Sequence, residues 1–437
     1  MGRLLWQACT QTTLSVGAYG IYALTNAWFV ARGVGPSAMA AVNLIAPVFL
    51  VLGAVSTTVG VGGASLVSRS LGAGDPSSAA RAAGNAFAVF WATAASITVV
   101  GLLALNPLLT LLGDTSGTSR PYAVIILAGA LLSTGFSSLM RAEGRMRFST
   151  LQWVVPVLVQ ITLDPVLIFG LHLGIAGAAL GTLGGQAVSA GLSLWFFFAQ
   201  RDRPYRIRRS DLRFHGPTVR ALVGVGAPSF LAGLGATLLV VLVNKSLAGT
   251  AALAAYAVCA RIQTFVMMPQ MGISQGLQPI VGYNTGRGSA WRVARARSLA
   301  LRASLIYGLL ATAVVVLSAG PLVGFFLPAA SEGAGHALRI IGLGFTFAGV
   351  TPLVSAYCQA VGRTGQAYLL SIGTLLLVKA PLVALLGRSA DGVWAALALG
   401  ELLSATIALL VSHPRPSRSD RAAADATHTN RSQRPAT

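Results

Sequence analysis

The stretch LVQITLDPVLIFGLHLG, residues 158–174, is apolar almost throughout and carries one acidic side chain, Asp164. An ionised carboxylate in the middle of a membrane helix costs about 3 kcal/mol or more. Acids that persist there usually face an internal cavity and mark the path of an ion. The meaning of Asp164 therefore depends on whether the surrounding chain is built for lipid.

The composition favours a membrane protein. Of the 437 residues, 54% are hydrophobic and 10% are charged, whereas soluble domains carry about 25% charged residues. A membrane helix needs about 20 mostly apolar residues, and twelve stretches of the chain meet this length. They predict an all-α polytopic membrane protein, with helices at about 6–31, 37–66, 80–105, 121–142, 150–171, 175–199, 221–245, 251–280, 297–318, 337–361, 365–387 and 392–412.

The formal net charge of +20 is a signal of topology. If both termini are cytoplasmic, most Lys and Arg residues fall on cytoplasmic segments, as the positive-inside rule requires. We therefore expect a multi-pass protein of the inner (cytoplasmic) membrane with both termini in the cytoplasm. The charge gives no reason to expect nucleic acid as a partner.

Several classes of function lack their residues in this sequence. Cys9, Cys259 and Cys358 lie in apolar stretches without C-x-x-C spacing, and the five histidines are scattered, so we expect neither disulfides nor a metal site. The phosphate-binding motif G-x-x-x-x-G-K-[ST] is also missing from the sequence. We expect a protein that is not an enzyme and has no cofactor.

The chain repeats itself. GPSAMAAVNL (35–44) matches GTAALAAYAV (249–258) at an offset of 214 residues, and RAEGR (141–145) matches QAVGR (359–363) at 218. Helices 1–6 therefore correspond to helices 7–12. Because six is even, both copies begin on the same side of the membrane, and the axis that relates them lies along the membrane normal.

This repeat predicts two pseudo-symmetric six-helix lobes: an N-lobe at 1–200 and a C-lobe at 221–412. Between them lies a basic cytoplasmic linker at 201–220. Residues 413–437 are polar and low in aromatic residues, which predicts a disordered cytoplasmic tail. Two parallel lobes that meet at a central cavity are typical of secondary transporters, in which the lobes rock about the binding site.

Five segments resemble one family, the multidrug and toxic compound extrusion (MATE) transporters of prokaryotic type. They are QITLDPVLIFGLHLGIAGAALGT (160–182), VCARIQTFVMMPQMGISQGLQPIVGYNTGRG (258–288), WFVARGVGPSAMAAVNL (28–44), SRSLGAGD (68–75) and MRAEGR (140–145). The resemblance covers both halves and implies the MATE fold, which the wider MOP superfamily shares. It also implies an antiporter that exports amphipathic, often cationic, drugs or toxic metabolites as a monomer in the lipid bilayer.

The resemblance also implies a coupling site for a proton or a sodium ion in the N-lobe. Asp164 matches the family's acid in helix 5, Gln160 the polar residue one turn earlier, Thr182 a hydroxyl in helix 6 and Tyr22 a tyrosine in helix 1. Asn26 stands where the family commonly has aspartate, and an amide cannot titrate. We therefore expect Asp164 to be the main coupling group, with H⁺ favoured over Na⁺; the alternative is an aspartate that only pins two helices together.

The C-lobe carries its own polar candidates. Arg261, Lys379 and Glu401 lie within predicted helices, and a buried cation needs a counter-charge, so a Lys379–Glu401 or an Arg261–Glu401 pair is expected. Gln275, Gln278 and Asn284 either line the cavity or satisfy the backbone near Pro279. In the N-lobe, Glu143 is expected to form a local ion pair near water with its arginine neighbours.

One rival function remains. A flippase for lipid-linked oligosaccharides of the same superfamily has the same two-lobe architecture. Because it handles a pyrophosphate head group, such a flippase needs several cations in its cavity. Away from the ends of the predicted helices, the sequence offers two intramembrane cations, Arg261 and Lys379, which favours the exporter.

Overall fold

The computed structural model describes residues 2–34, 36–112, 119–132, 136–326 and 331–412, so the predicted tail at 413–437 lies outside the described residues. The first half of this described part is built from helices whose bounds are α1 Gly2–Gly33, α2 Pro36–Gly72, α3 Pro76–Leu103, α4 Leu105–Leu112, α5 Arg120–Ala128, α6 Ser137–Ala142, α7 Met146–Pro165 and α8 Gly174–Leu194. Short 3₁₀ turns lie at Ala130–Leu132 and Arg209–Leu212, and π-helical turns at Val166–Gly170 and Trp195–Ala199.

The second half continues the helical pattern. Its bounds are α9 Gly216–Ser246, α10 Ala252–Gly286, α11 Ala290–Leu317, α12 Ala319–Phe326, α13 Ser331–Leu343, α14 Phe345–Ala348, α15 Val350–Val361, α16 Thr364–Tyr368, α17 Ala380–Leu386 and α18 Ala390–Val411. Two π-helical turns, Leu369–Gly373 and Leu375–Lys379, join α16 to α17. The helix α9 begins at Gly216, within the segment predicted as linker.

The predicted membrane stretches coincide with these helices. Nine helices of the described ranges are long and apolar enough to cross a membrane, and two bent pairs, 120–142 and 333–361, raise that number to eleven. Helix α1, with 32 residues, is not among these and covers the first predicted stretch. The all-α membrane fold is therefore confirmed.

The repeated RAEGR and QAVGR motifs adopt the same turn. Gly144 and Gly362 both have a left-handed backbone, with φ of 80° and 82°. In each turn the N–H of the following residue donates to the carbonyl five residues earlier, which is the usual way for a glycine to end a helix. The internal repeat thus extends from sequence to local structure.

The two lobes meet where α1 packs on α10 and α2 packs on α9 and α10. A Cβ at Gly72 would lie 2.0 Å from the Tyr283 carbonyl oxygen, and one at Gly286 would lie 1.9 Å from the Arg69 carbonyl oxygen. These contacts are equivalent under the 214-residue offset. Such reciprocal pairs arise when an axis of two-fold type passes between two related helices.

A hydrophobic cluster continues across this interface. It includes Ala8 and Cys9 of α1, Leu277 of α10 and Val354 of α15, all buried. Residues 2–20 of the first helix thus pack mainly against the second repeat. Helix α1 also packs against α7 of its own repeat, where Asn26 lies beside Asp164.

Candidate functional site

Asp164 lies in the last turn of α7, with 1% of its surface exposed. The following residue, Pro165, lacks an N–H and interrupts the regular helical bonding, and the chain widens into the π-helical turn at 166–170. The carboxylate is held against α1, where Asn26 Nδ2 donates to Asp164 Oδ2 at 3.0 Å. Two predicted site residues, 138 positions apart in sequence, are therefore in direct contact.

The second oxygen of the Asp164 carboxylate, Oδ1, has a different environment from Oδ2. Asp164 Oδ1 is buried and accepts no hydrogen bond from the described part of the chain. It faces α8 at Gly181, where a Cβ would lie 1.9 Å from Oδ1. Because real side-chain carbons never approach so closely, glycine at position 181 is a condition for this placement of the carboxylate.

Gln160 and Thr182 form a second pair one turn away. Gln160 Nε2 donates to Thr182 Oγ1 at 2.8 Å, and the Thr182 hydroxyl donates to the Ala178 carbonyl at 3.1 Å. This pair joins α7 to α8 beside the Asp164–Asn26 pair. The side chain of Tyr22 lies outside the described part of the structure.

In the C-lobe, one of the two expected ion pairs is present. Lys379 Nζ lies 2.5 Å from Glu401 Oε1, with the two side chains 20% and 16% exposed. Arg261 is exposed, and the described residues give it no carboxylate partner. The Arg261–Glu401 alternative is therefore not formed.

The three polar residues of α10 that the sequence singled out, Gln275, Gln278 and Asn284, make separate contacts. Gln275 Oε1 accepts from Arg141 Nη2 of the N-lobe at 3.2 Å, and Gln278 Nε2 donates to Gln359 Oε1 at 3.4 Å. Asn284 Nδ2 donates to the Ile280 carbonyl of its own helix at 2.8 Å. Asn284 thus satisfies the backbone near Pro279, whereas Gln275 contacts the other lobe.

With this geometry established, comparison with known proteins gives the family. A protein-family model described as MatE matches residues 13–166 and 229–385. The chain belongs to the MATE family. Its internal repeat, its helical membrane fold and the contacts between its lobes are therefore those of a transporter.

The relatives of this MATE chain are named for more than one function. Multidrug export protein MepA of Staphylococcus haemolyticus (strain JCSC1435) is 30% identical over 275 residues, which is 60% of this chain and 60% of that relative. The FAD transporter of Shewanella oneidensis (strain MR-1) is 25% identical over 409 residues, covering 90% of this chain and 89% of that relative.

Solved structures agree on the fold. A structure described as the outward-facing conformation of a multidrug resistance MATE family transporter of the MOP superfamily matches with a TM-score of 0.86. It is 23% identical to this chain, and the match covers 94% of each. This likeness extends the MATE fold over almost the whole chain.

Arg141 is an interlobe residue of this MATE chain that sequence reasoning missed. Its side chain is buried, and besides Gln275 it contacts Ser137 Oγ at 3.2 Å and Ser149 Oγ at 3.0 Å through Nη1. Its repeat equivalent, Gln359, also lies at the interface. The shared RAEGR and QAVGR motif was the available signal, because it places a polar side chain at the same position of both lobes.

Glu143 has a different partner from the one expected. The prediction of a local ion pair near water was wrong, because Glu143 pairs with Arg203, 60 residues later, and both side chains are buried. The Arg203 guanidinium carbon lies 4.7 Å from the ring centres of Phe197 and Tyr205. Aromatic rings and a carboxylate together stabilise a buried guanidinium.

This ion pair fixes the linker to the N-lobe. Burial, followed by the neighbouring Glu143 carboxylate, raises the pKa of the Tyr205 hydroxyl well above its ordinary value. Further along, Asn85 Nδ2 donates to the carbonyls of Asp211 and Arg213, and His215 N donates to Asn85 Oδ1. The linker is thus attached to the N-lobe up to the residue before α9.

Proposed function

We propose that this MATE transporter is an antiporter that exports amphipathic, often cationic, compounds across the cytoplasmic membrane, with Asp164 as the coupling carboxylate. The observation that carries the proposal is the position of Asp164 Oδ1, which is buried against Gly181 without a hydrogen-bond donor from the described residues. We further propose that the chain works as a monomer with both termini in the cytoplasm.

The chemistry of this oxygen supports an exchange site. An ionised carboxylate that accepts one hydrogen bond and is 1% exposed leaves most of its charge uncompensated, which costs free energy in an apolar surrounding. A proton or a cation bound at Oδ1 removes that cost. If the site opens to opposite sides of the membrane in turn, binding on one side and release on the other couple ion entry to drug exit.

The orientation of the neighbouring amides favours a proton over sodium. A sodium ion needs several oxygen ligands, as hard cations do. Asn26 directs its NH₂ group at Asp164, and Gln160 directs its NH₂ group at Thr182. Both amides therefore present positive N–H groups within the cluster, an arrangement that suits a carboxyl group alternating between charged and protonated forms.

The cations of the C-lobe bear on the class of substrate. Lys379 is neutralised by Glu401, which leaves Arg261 as the unpaired member of the two intramembrane cations predicted from the sequence. Within the C-lobe membrane helices, one cation without a carboxylate partner among the described residues is a poor match to the pyrophosphate of a transported lipid-linked oligosaccharide, so we prefer the exporter of amphipathic compounds to the flippase. Because one relative is named as an FAD transporter, an anionic compound should be tested as a substrate beside a cationic one.

The test is transport into inverted membrane vesicles that contain the chain, in which export appears as uptake. We expect uptake of a cationic dye such as ethidium when the vesicle interior is made acidic, and loss of uptake when a protonophore removes the gradient. Uptake driven by an imposed sodium gradient alone would contradict proton coupling. Uptake of FAD in place of ethidium would contradict the proposed class of substrate.

A further inference from the structure

A cavity lies between the lobes at their predicted cytoplasmic end. Its volume is about 740 Å³, and it is lined by Arg69 of α2, by Pro217, Arg220 and Gly224 of α9, by Gly362 after α15 and by Thr364 at the start of α16. Pockets for small molecules commonly measure about 300–1,000 Å³. The cavity is therefore large enough for a polyatomic ligand, and both lobes contribute to its wall.

Two arginines give this cavity its charge. Among the described residues, no aspartate or glutamate lines the cavity, and neither Arg69 nor Arg220 forms an ion pair. An acidic residue, Asp75, lines a smaller cavity together with Arg69. Its Oδ1 accepts from Ser77 Oγ at 2.6 Å and from Ser78 N at 2.9 Å, so Asp75 caps α3, and no ion pair joins it to Arg69.

The guanidinium of Arg69 is held in place. Arg69 Nε donates to the Ser65 carbonyl at 3.2 Å, and Nη1 lies against Gly362 of the other lobe, where a Cβ would be 2.3 Å away. Gly362 also has a left-handed backbone, with φ of 82°, so two requirements favour glycine there. Within the described chain, Nη1 and Nη2 have no hydrogen-bond acceptor, although the side chain is fixed between two lobes.

We propose that this cavity is a binding site for a phosphate-bearing anion. A guanidinium presents paired N–H donors that match two oxygens of one phosphate, and two guanidiniums without a carboxylate leave a net positive charge for the ligand to neutralise. At the cytoplasmic membrane surface, such a group comes either from the head group of an anionic phospholipid or from a soluble phosphate compound.

Occupancy of this site depends on the arrangement of the lobes. Arg69 belongs to the N-lobe and Arg220 to the C-lobe, so an anion that contacts both is bound fully only when the lobes are together on this side. By linkage, the ligand stabilises that arrangement. This consequence rests on the proposed alternating-access function, whereas the binding site itself does not.

The experiment uses the purified full-length protein and compares Arg69→Gln and Arg220→Gln with the wild type. Arg295→Gln is the matched control, because Arg295 is an exposed arginine near the start of α11 that does not line the cavity. In one arm, inorganic pyrophosphate is titrated into protein in phosphatidylcholine nanodiscs at fixed ionic strength. In the other arm, phosphatidylglycerol retained by the detergent-solubilised protein is counted by native mass spectrometry.

We expect wild type and Arg295→Gln to bind one of these probes, and each cavity variant to bind it about tenfold or more weakly, as expected when a charge-assisted bidentate contact is lost. Binding in the first arm identifies a soluble phosphate, and binding in the second a lipid head group. Equal binding by wild type and Arg220→Gln in both arms would overturn the site. A loss of binding in Arg295→Gln as large as that in the cavity variants would overturn it too. Arg220 is exposed, so its variant is expected to fold, and neither arm depends on drug export.

Discussion

Asn26 and Asp164 are joined by a hydrogen bond of 3.0 Å between α1 and α7. The family resemblance implies an aspartate at position 26, and here the Asn26 amide fills that place and donates to the acid. The amide fixes Asp164 Oδ2, and Oδ1 accepts no hydrogen bond from the described residues. The proposed coupling site therefore contains one carboxylate among the described residues, held in a fixed orientation.

Replacement of Asn26 by aspartate should be tolerated. Asn26→Asp keeps the size of the side chain, and two carboxyl groups at this distance can share one proton. Asn26→Leu removes the donor and should impair drug efflux strongly, because Asp164 then keeps no partner among the described residues. The check is drug efflux from cells that express each variant at equal amounts. Equal impairment by the two substitutions would contradict the role given to the amide.

Glycine at position 181 should be essential for coupling. Gly181→Ala places a Cβ 1.9 Å from the present position of Asp164 Oδ1, so the carboxylate or the whole of α8 must move. Since a displacement of about 1 Å at a reacting group can cost two orders of magnitude in rate, we expect gradient-driven uptake to fall by about tenfold or more.

Gly191→Ala is the matched control for this substitution. Gly191 lies on the same helix, α8, with no atom near enough to meet an added Cβ. Its export should equal that of the wild type. Full activity of Gly181→Ala in the same vesicles would show that the carboxylate does not need its present position.

The Lys379–Glu401 pair should stabilise the C-lobe mainly by mutual neutralisation. Removal of one partner leaves a largely buried charge, which costs about 3–5 kcal/mol. Lys379→Met and Glu401→Gln should therefore each lower the thermal denaturation midpoint of the detergent-solubilised protein. The double variant Lys379→Met with Glu401→Leu should recover most of the loss. Single variants that denature like the wild type would indicate a pair without structural importance.

The sequence predicted the helices and the repeat because both depend on local patterns of apolar residues and glycines. It also brought Asp164, Gln160, Thr182 and Asn26 together, since Gln160 lies one turn before Asp164 and the family resemblance placed Thr182 and Asn26 on neighbouring helices. The choice between the Lys379–Glu401 and Arg261–Glu401 pairs remained open, because it depends on how each helix is rotated in the bundle.

The interaction between Glu143 and Arg203 was beyond local reasoning. Its residues are 60 positions apart, and its aromatic environment forms when the linker folds back on the N-lobe. The interlobe contact of Arg141 with Gln275 likewise depends on the approach of two lobes. In both cases the sequence shows the charged residue, but its partner becomes evident only when the chain is folded.

In the proposed mechanism, Asp164 exchanges the coupling proton. Asp164→Asn keeps the shape of the side chain and can still hydrogen-bond, but it cannot titrate. We expect this variant to reach the membrane in normal amounts, because the packing around Gly181 and Asn26 is preserved. Its defect should be confined to coupling.

The most direct measurement is proton movement driven by the drug. Inverted vesicles with an acidic interior are given ethidium, and a pH-sensitive dye reports the proton efflux that accompanies drug uptake. Wild-type vesicles should release protons on addition of ethidium, and Asp164→Asn vesicles with the same amount of protein should not. Proton release by Asp164→Asn at the wild-type rate would contradict the account, and Glu401 would become the next carboxylate to test.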